Sequence, residues 1–167
     1  KEWTQLGLSW GIILLFLGYL FIGDLSWHEL RDEVGFPYTM EERIKDSYYY
    51  ESQGTKDGLK VYTSKQDPNA TAIDLIDAVY GKVYTIKQDT KSPEKWIVIY
   101  TTNEVSVIST VNDTTYVEVG LLKNLPDSEN TRLANIRNDS DILLRYAYMV
   151  ELKNKQGRQT LLKEIKD

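Results

Sequence analysis

From Trp3 to Gly23 the chain runs 21 residues without a charge, and Ile12 to Leu17 within that stretch shows no polar face. As a helix it spans about 31 Å, the thickness of a bilayer's hydrocarbon core. Trp3 and Trp10 lie toward one end and Tyr19 and Trp27 toward the other, the arrangement of an aromatic belt at headgroup level. No small-x-small cleavage site follows Gly23; the next residues are Asp24, Leu25, Ser26 and Trp27. The pattern predicts a transmembrane helix over 3–23. Beyond it Asp24, Glu29, Asp32 and Glu33 outweigh Arg31, which places the N-terminus inside and the remaining chain outside the membrane. Gly7 and Gly11 form a Gly-x-x-x-Gly pair with Gly18 two turns on, a surface that lets a second helix approach closely.

The pattern then changes twice. Ser26-Trp27-His28-Glu29 is a capping box opening a short amphipathic helix with Trp27, Leu30 and Val34 on one face. Thr39-Met40-Glu41-Glu42 opens another, near Met40 to Asp46. Residues 26–46 are therefore expected as juxtamembrane helices, and 47–167 as an extracytoplasmic domain.

Strand-like runs fill most of that domain. Tyr48-Tyr49-Tyr50 and Leu59 to Thr63 flank a turn segment with Gly54 and Asp57-Gly58, a hairpin signal. Asp67-Pro68 starts the main soluble helix and Gly81 lies beyond its end, with Ile73, Ile76 and Val79 as its expected buried stripe and Asp74 and Asp77 facing away. Four runs follow: Lys82 to Lys87, Trp96 to Thr101, Val105 to Thr110 and Thr115 to Leu121, the last two joined by a turn at Asn112-Asp113. The continuously apolar Trp96 to Tyr100 reads as a central strand buried on both faces. Lys123 to Asp141 is polar, a loop with room for one short helix. Leu143 to Leu152 fits helix or strand, and Asn154 to Gly157 followed by Thr160 to Ile165 favours a closing hairpin. The fold class is α+β: one N-terminal transmembrane helix, then a small, mostly antiparallel sheet with one main packed helix.

Charge and composition narrow the partners. With 25 Asp and Glu against 20 Lys and Arg, the net charge of -5 argues against nucleic acid. No run of four or more basic residues favours an anionic membrane surface. Absence of cysteine excludes disulfides, thiolate metal sites and a cysteine nucleophile, and suits a bacterial envelope protein.

Candidate chemistry is sparse. His28, the sole histidine, has no Gly-x-Ser-x-Gly elbow to serve and no companion ligands for zinc, so a headgroup-level polar residue is the simpler reading. Phosphate-binding glycine motifs are absent. Asp74 with Asp77, and Asp139 with Asp141, could form an acid–base pair, although exposed acidic faces are far commoner. Asn138 to Asp141 lacks the glycine and spaced ligands of a calcium loop and reads as an Asx-rich turn. No catalytic, cofactor or metal residue is assigned. The 12 tyrosines against 3 phenylalanines suit half-exposed sheet faces and interfaces, and Tyr48 to Tyr50 must put at least one ring outward.

Ala72 to Val79, followed by Lys82 to Ile86, Trp96 to Tyr100 and Val105 to Ile108, resembles a PepSY-type module, one helix before a small antiparallel sheet. With Thr115 to Val119 added, the region also resembles a family of short, singly anchored envelope proteins of Gram-positive bacteria. Both resemblances imply binding or regulation rather than catalysis. The resulting expectation is a single-pass cell-membrane accessory protein, without cofactor, that binds an integral membrane partner. Gly7, Gly11 and Gly18 would serve in the bilayer, where the same surface permits self-association, and Trp27, Tyr48, Tyr49 and Tyr50 in the domain. An anchored enzyme acting on envelope substrates and a ligand sensor are the alternatives.

Overall fold

Asp57-Gly58 and Asn112-Asp113 both take left-handed backbone angles, with φ of 52° and 83° at the first pair and 51° and 63° at the second. Two such residues in succession make the turn whose twist matches paired strands, so each closes a tight hairpin. A computed structural model describes residues 38–166 and places these hairpins in one six-stranded sheet. The expected membrane helix with Gly7, Gly11 and Gly18, and the short helix carrying Trp27 and His28, lie outside the described residues. Among the described residues no helix is long and apolar enough to cross a membrane.

In chain order the elements are α1 (Met40–Asp46), β1 (Tyr50–Lys56), β2 (Leu59–Ser64), α2 (Pro68–Ala78), β3 (Thr85–Gln88), β4 (Ile97–Tyr100), β5 (Glu104–Val111), β6 (Thr114–Leu121), a 3₁₀ turn (Leu122–Asn124), α3 (Asp127–Ala134) and α4 (Ile142–Lys166). The strand order is β1-β2-β6-β5-β4-β3, and every neighbouring pair is antiparallel. The α+β class with an antiparallel sheet is thus observed. Because β2 pairs with β6 while β3 is the far edge, α2 must carry the chain across the sheet before the β3–β6 meander can return.

Both faces of the sheet are covered. Register aligns Tyr62, Val117, Ile108 and Ile97 across β2, β6, β5 and β4, beneath Ala72, Leu75 and Ile76 of α2. Met40 and Ile44 of α1 and Leu143 and Ala147 of α4 complete this core. On the opposite face Leu59, Val98, Val105 and Val107 pack with Leu125 and with Leu133 of α3. Full burial of each such Leu or Ile contributes about 1.5–3 kcal/mol. Glu104 to Ser109 is buried without a break, as a strand covered on both sides requires.

Several expectations change. Trp96 to Tyr100 does supply a strand buried on both faces, but β4 is next to the edge and the central pair is β6 and β5. Its burial comes from the helical layers above and below, not from centrality. The helix Met40–Asp46 belongs to the domain rather than to a separate juxtamembrane layer, because Met40 and Ile44 lie in its core. On α2 Ile76 and Val79 are buried as expected, together with Thr71, Ala72, Leu75 and Ala78, but Ile73 is turned outward and Asp74 is engaged by α1.

The largest correction is the C-terminus, where one 25-residue helix replaces the closing hairpin. Gly157, read as a turn residue, sits inside that helix with open space where a Cβ would be. A lone glycine costs about 1 kcal/mol against alanine, and the flanking Lys, Gln, Arg and Leu residues favour helix strongly enough to absorb it. Gly81 is the glycine that matters to α4. It has φ +70°, and a Cβ there would meet the backbone of α4 at 2.2 Å from the Ala147 oxygen and 2.7 Å from the Glu151 nitrogen.

The two glycines should therefore respond oppositely. Gly81→Ala should destabilise the domain by about 3 kcal/mol or more through clash and left-handed strain. Gly157→Ala should stabilise α4 by up to about 1 kcal/mol. Urea unfolding followed by far-UV circular dichroism checks both, and equal effects would mean that α4 does not rest on Gly81.

Candidate functional site

The segment Ser47–Tyr50, from the end of α1 to the first residue of β1, is placed by two carboxylates, one buried and one half-buried. Glu104, the first residue of β5, lies under the start of α1 and accepts from the Met40 amide at 3.0 Å and the Glu41 amide at 3.2 Å. Thr39 accepts from the Glu42 amide at 3.1 Å, so the amides of the first turn are all bonded. Burial pushes the Glu104 carboxyl above its ordinary range, and the two backbone amides pull it back in part.

Asp74 of α2 holds the other side. Arg43 donates to it through Nη2 at 2.8 Å and through Nε at 3.1 and 3.3 Å, and Tyr50 donates its hydroxyl at 2.6 Å. One carboxylate thus ties together α1, β1 and α2. Burial, then the bond to Asp74, drives the Tyr50 phenol far above its ordinary range, so it stays a donor. Lys60 of β2 and Lys45 reach Glu41 on the outer side of α1.

This frame decides which tyrosines remain available. Tyr50 is only 8% exposed and is committed to the interior, so it leaves the expected docking set. Tyr48 is 73% exposed. Its ring stacks on Tyr49 with centroids 4.4 Å apart, and the Lys65 ammonium lies 5.4 Å from its centroid. The backbone beneath them is fixed, since the Tyr49 amide donates to the Ser47 hydroxyl, the Tyr50 amide to the Ser47 carbonyl, and the Lys65 amide to the Tyr49 carbonyl. Tyr48, Tyr49 and Lys65 form a small, rigid aromatic–cationic surface; Trp27 lies outside the described residues.

A second feature lies on the opposite face. A cleft of about 240 Å³ opens between the β3–β4 loop and the end of α3, floored by Trp96 and Ile136. Arg132 lies 5.7 Å from the centre of the Trp96 ring and bonds Glu129 at 2.9 Å and Glu118 at 3.2 Å. Burial raises the Glu118 carboxyl and Arg132 partly offsets that rise. Asp89 turns back to accept from the Lys91 and Ser92 amides, while the buried Ser92 hydroxyl has no hydrogen-bond partner among the described residues. Neither Asp89, Ser92 nor Arg132 stands out in the sequence, because it is the packing of α3 against the sheet that brings residues 89–96 beside 132–137.

The carboxylates considered for acid–base work are separated by their partners. Asp74 is engaged as above, and Asp77 accepts from the Tyr146 hydroxyl of α4 at 2.8 Å. Asp139 accepts from the Thr90 amide and hydroxyl, and Asp141 pairs with Arg145 at 2.7 Å. Among the described residues no three His, Asp or Glu side chains are grouped to hold a metal ion. Comparison with protein-family models, with curated proteins and with solved structures finds no match for this chain.

Glu104 gives this site a testable pH signature. Its folded-state pKa is raised, so the unfolded chain ionises first as pH climbs. Its contribution to stability is therefore greatest below the ordinary carboxylate value and declines as pH rises through the raised one. Denaturant unfolding from about pH 4 to pH 7 should show this decline in the parent. In Glu104→Gln the decline should be reduced, at a cost of about 1–2 kcal/mol for one amide left without its acceptor. An unchanged pH slope in the variant would contradict the assignment.

Proposed function

We propose that this chain is a membrane-anchored accessory protein of a bacterial envelope that binds an integral membrane protein and stabilises or regulates it. The anchor is the apolar stretch 3–23, and the domain lies on the extracytoplasmic side. The observation that carries the reading is the Tyr48–Tyr49 stack beside Lys65. Rigid, exposed aromatics with a polar tip contribute most of the energy at many protein interfaces, since little side-chain freedom is lost when they dock. Holding them on the Asp74 frame adds pre-organisation. The order of α2 followed by an antiparallel meander supports the likeness to PepSY-type modules, and with it a binding role. The carboxylates an anchored hydrolase would draw on are each engaged by a partner from the fold.

A second reading, a ligand sensor, is favoured by the cleft over Trp96 and its unsatisfied Ser92 hydroxyl. It would be supported by a small molecule that quenches Trp96 emission and raises the melting temperature in the parent but not in Ser92→Ala.

Extraction of the intact chain in mild detergent, with mass measurement of the intact complex, tests the leading reading. A membrane protein should co-purify in fixed stoichiometry and be lost on Gly7→Leu/Gly11→Leu. Tyr48→Ala should weaken it by about 2 kcal/mol, near thirtyfold. A lone monomer under the same conditions contradicts the proposal.

A further inference from the structure

The helix α4 concentrates the basic charge of the chain. Between Ile142 and Lys166 it carries Arg145, Lys153, Lys155, Arg158, Lys163 and Lys166 against Glu151 and Glu164, a net of +4. The whole chain has net charge -5, so everything outside this helix sums to -9. No contiguous basic run announces this; the helix gathers residues that sequence keeps apart. One face of α4 is spent on the core through Leu143 and Ala147 and on the close approach at Gly81. The other face presents Ile142, Tyr148, Met149 and Leu152 to solvent, all large, apolar and exposed. At 100° per residue, Leu152 lies near the middle of this arc with Lys155 on one side and Lys153 on the other. Lys155 pairs with Glu151, whereas Lys153 has no acidic partner among the described residues.

Exposed apolar residues over 142–152 with Lys153 and Lys155 flanking them and Arg145 among them, on a helix about 37 Å long, make the pattern of a helix that lies in the plane of a bilayer, with its basic stems running up to the headgroups. We infer that α4 docks on the anionic lipid surface of the membrane, laying Tyr148, Met149 and Leu152 into the headgroup boundary. The inference rests on the anchored reading of 3–23 for its choice of occupant: a tethered domain meets a lipid surface at a high effective concentration, and the net +4 of α4 is opposite in sign to anionic headgroups. The strongly acidic remainder of the chain would be repelled, so docking through α4 also orients the domain, with the rest of its surface turned away from the lipid.

The chain has no cysteine, so Leu152→Cys carries a single environment-sensitive fluorophore in the full-length protein. It is reconstituted in vesicles of phosphatidylglycerol with phosphatidylcholine, and in phosphatidylcholine alone. A label at Tyr84→Cys, an exposed residue outside α4, is the reference. The expected result is a blue-shifted, quencher-protected label at position 152 in the anionic vesicles only, with position 84 remaining aqueous. Salt at about 1 M should reverse it. Lys153→Gln with Lys163→Gln should lower the docked-to-free ratio about 25-fold, from roughly fivefold for each charge removed. A label at 152 that stays aqueous in anionic vesicles overturns the inference, as does protection that needs an added acidic protein rather than lipid. Failure of the anchor is read separately: a protein that alkaline carbonate strips from the vesicles lacks one, and the same label then reports whether α4 alone binds added lipid.

Discussion

The helical face of this domain hangs on α2, and α2 is where it is because the sheet leaves the chain no other route. With β2 paired to β6 and β3 at the opposite edge, the link between them must cross three strands, β6, β5 and β4. A helix with Ala72, Leu75 and Ile76 on one side can do so while burying the row Tyr62, Val117, Ile108 and Ile97 beneath it. Once there, α2 supplies attachment points for everything else on that face. Asp74 takes α1 through Arg43 and β1 through Tyr50; Asp77 takes α4 through Tyr146; and the turn after α2 brings Gly81 against the α4 backbone. Two aspartates that look like an exposed acidic pair on a helix are therefore tethers pointing in different directions. Asp74 accepts its charge-assisted hydrogen bonds where it is half-buried, which makes them stronger than at a free surface, whereas Asp77 accepts its bond from Tyr146 at an exposed position.

This arrangement explains why the domain has surfaces with distinct characters. The Tyr48–Tyr49 stack stands on a frame closed by Asp74 and Glu104, so it is held rigid although it is exposed. The face under α3 is closed by Leu125 and Leu133 and capped by Lys87, whose ammonium meets the carbonyls of Leu133 and Ala134 at 3.2 Å, where the helix end is partly negative. The cleft over Trp96 lies at its margin. The β3 edge is covered by residues 138–139, with the Asp139 amide donating to the Gln88 carbonyl. The β1 edge is instead bulged near Gly54, a device that discourages pairing with another sheet.

Much of this was legible in local sequence. The two-residue turns at 57–58 and 112–113, the Thr39 cap, the Asp67-Pro68 helix start and the alternating strands each follow from chemistry within a few residues. What was not legible depended on contacts far apart along the chain. Whether Tyr48 or Tyr50 faces inward is set by Asp74, 24 residues away from Tyr50, and no strand period reveals that partner. The end of the chain misleads for a different reason. Asn154 to Gly157 has turn composition, yet a helix begun at Ile142 and packed through Leu143 and Ala147 continues through it, because propagation costs little once a helix is nucleated. The segregation of basic residues onto that helix became visible only when the helix did.

Asp74 couples α1 and β1 to α2, and the Tyr48–Tyr49 surface depends on that coupling. Amide hydrogen exchange on the domain in the parent and in Asp74→Asn tests it most directly. In the variant the Arg43 and Ile44 amides of α1 and the strand amides near Tyr50 should lose protection together, while those of Val105 to Ile108 in the doubly covered β5 keep theirs. Unchanged protection in α1, or a uniform loss across β5 as well, would contradict it.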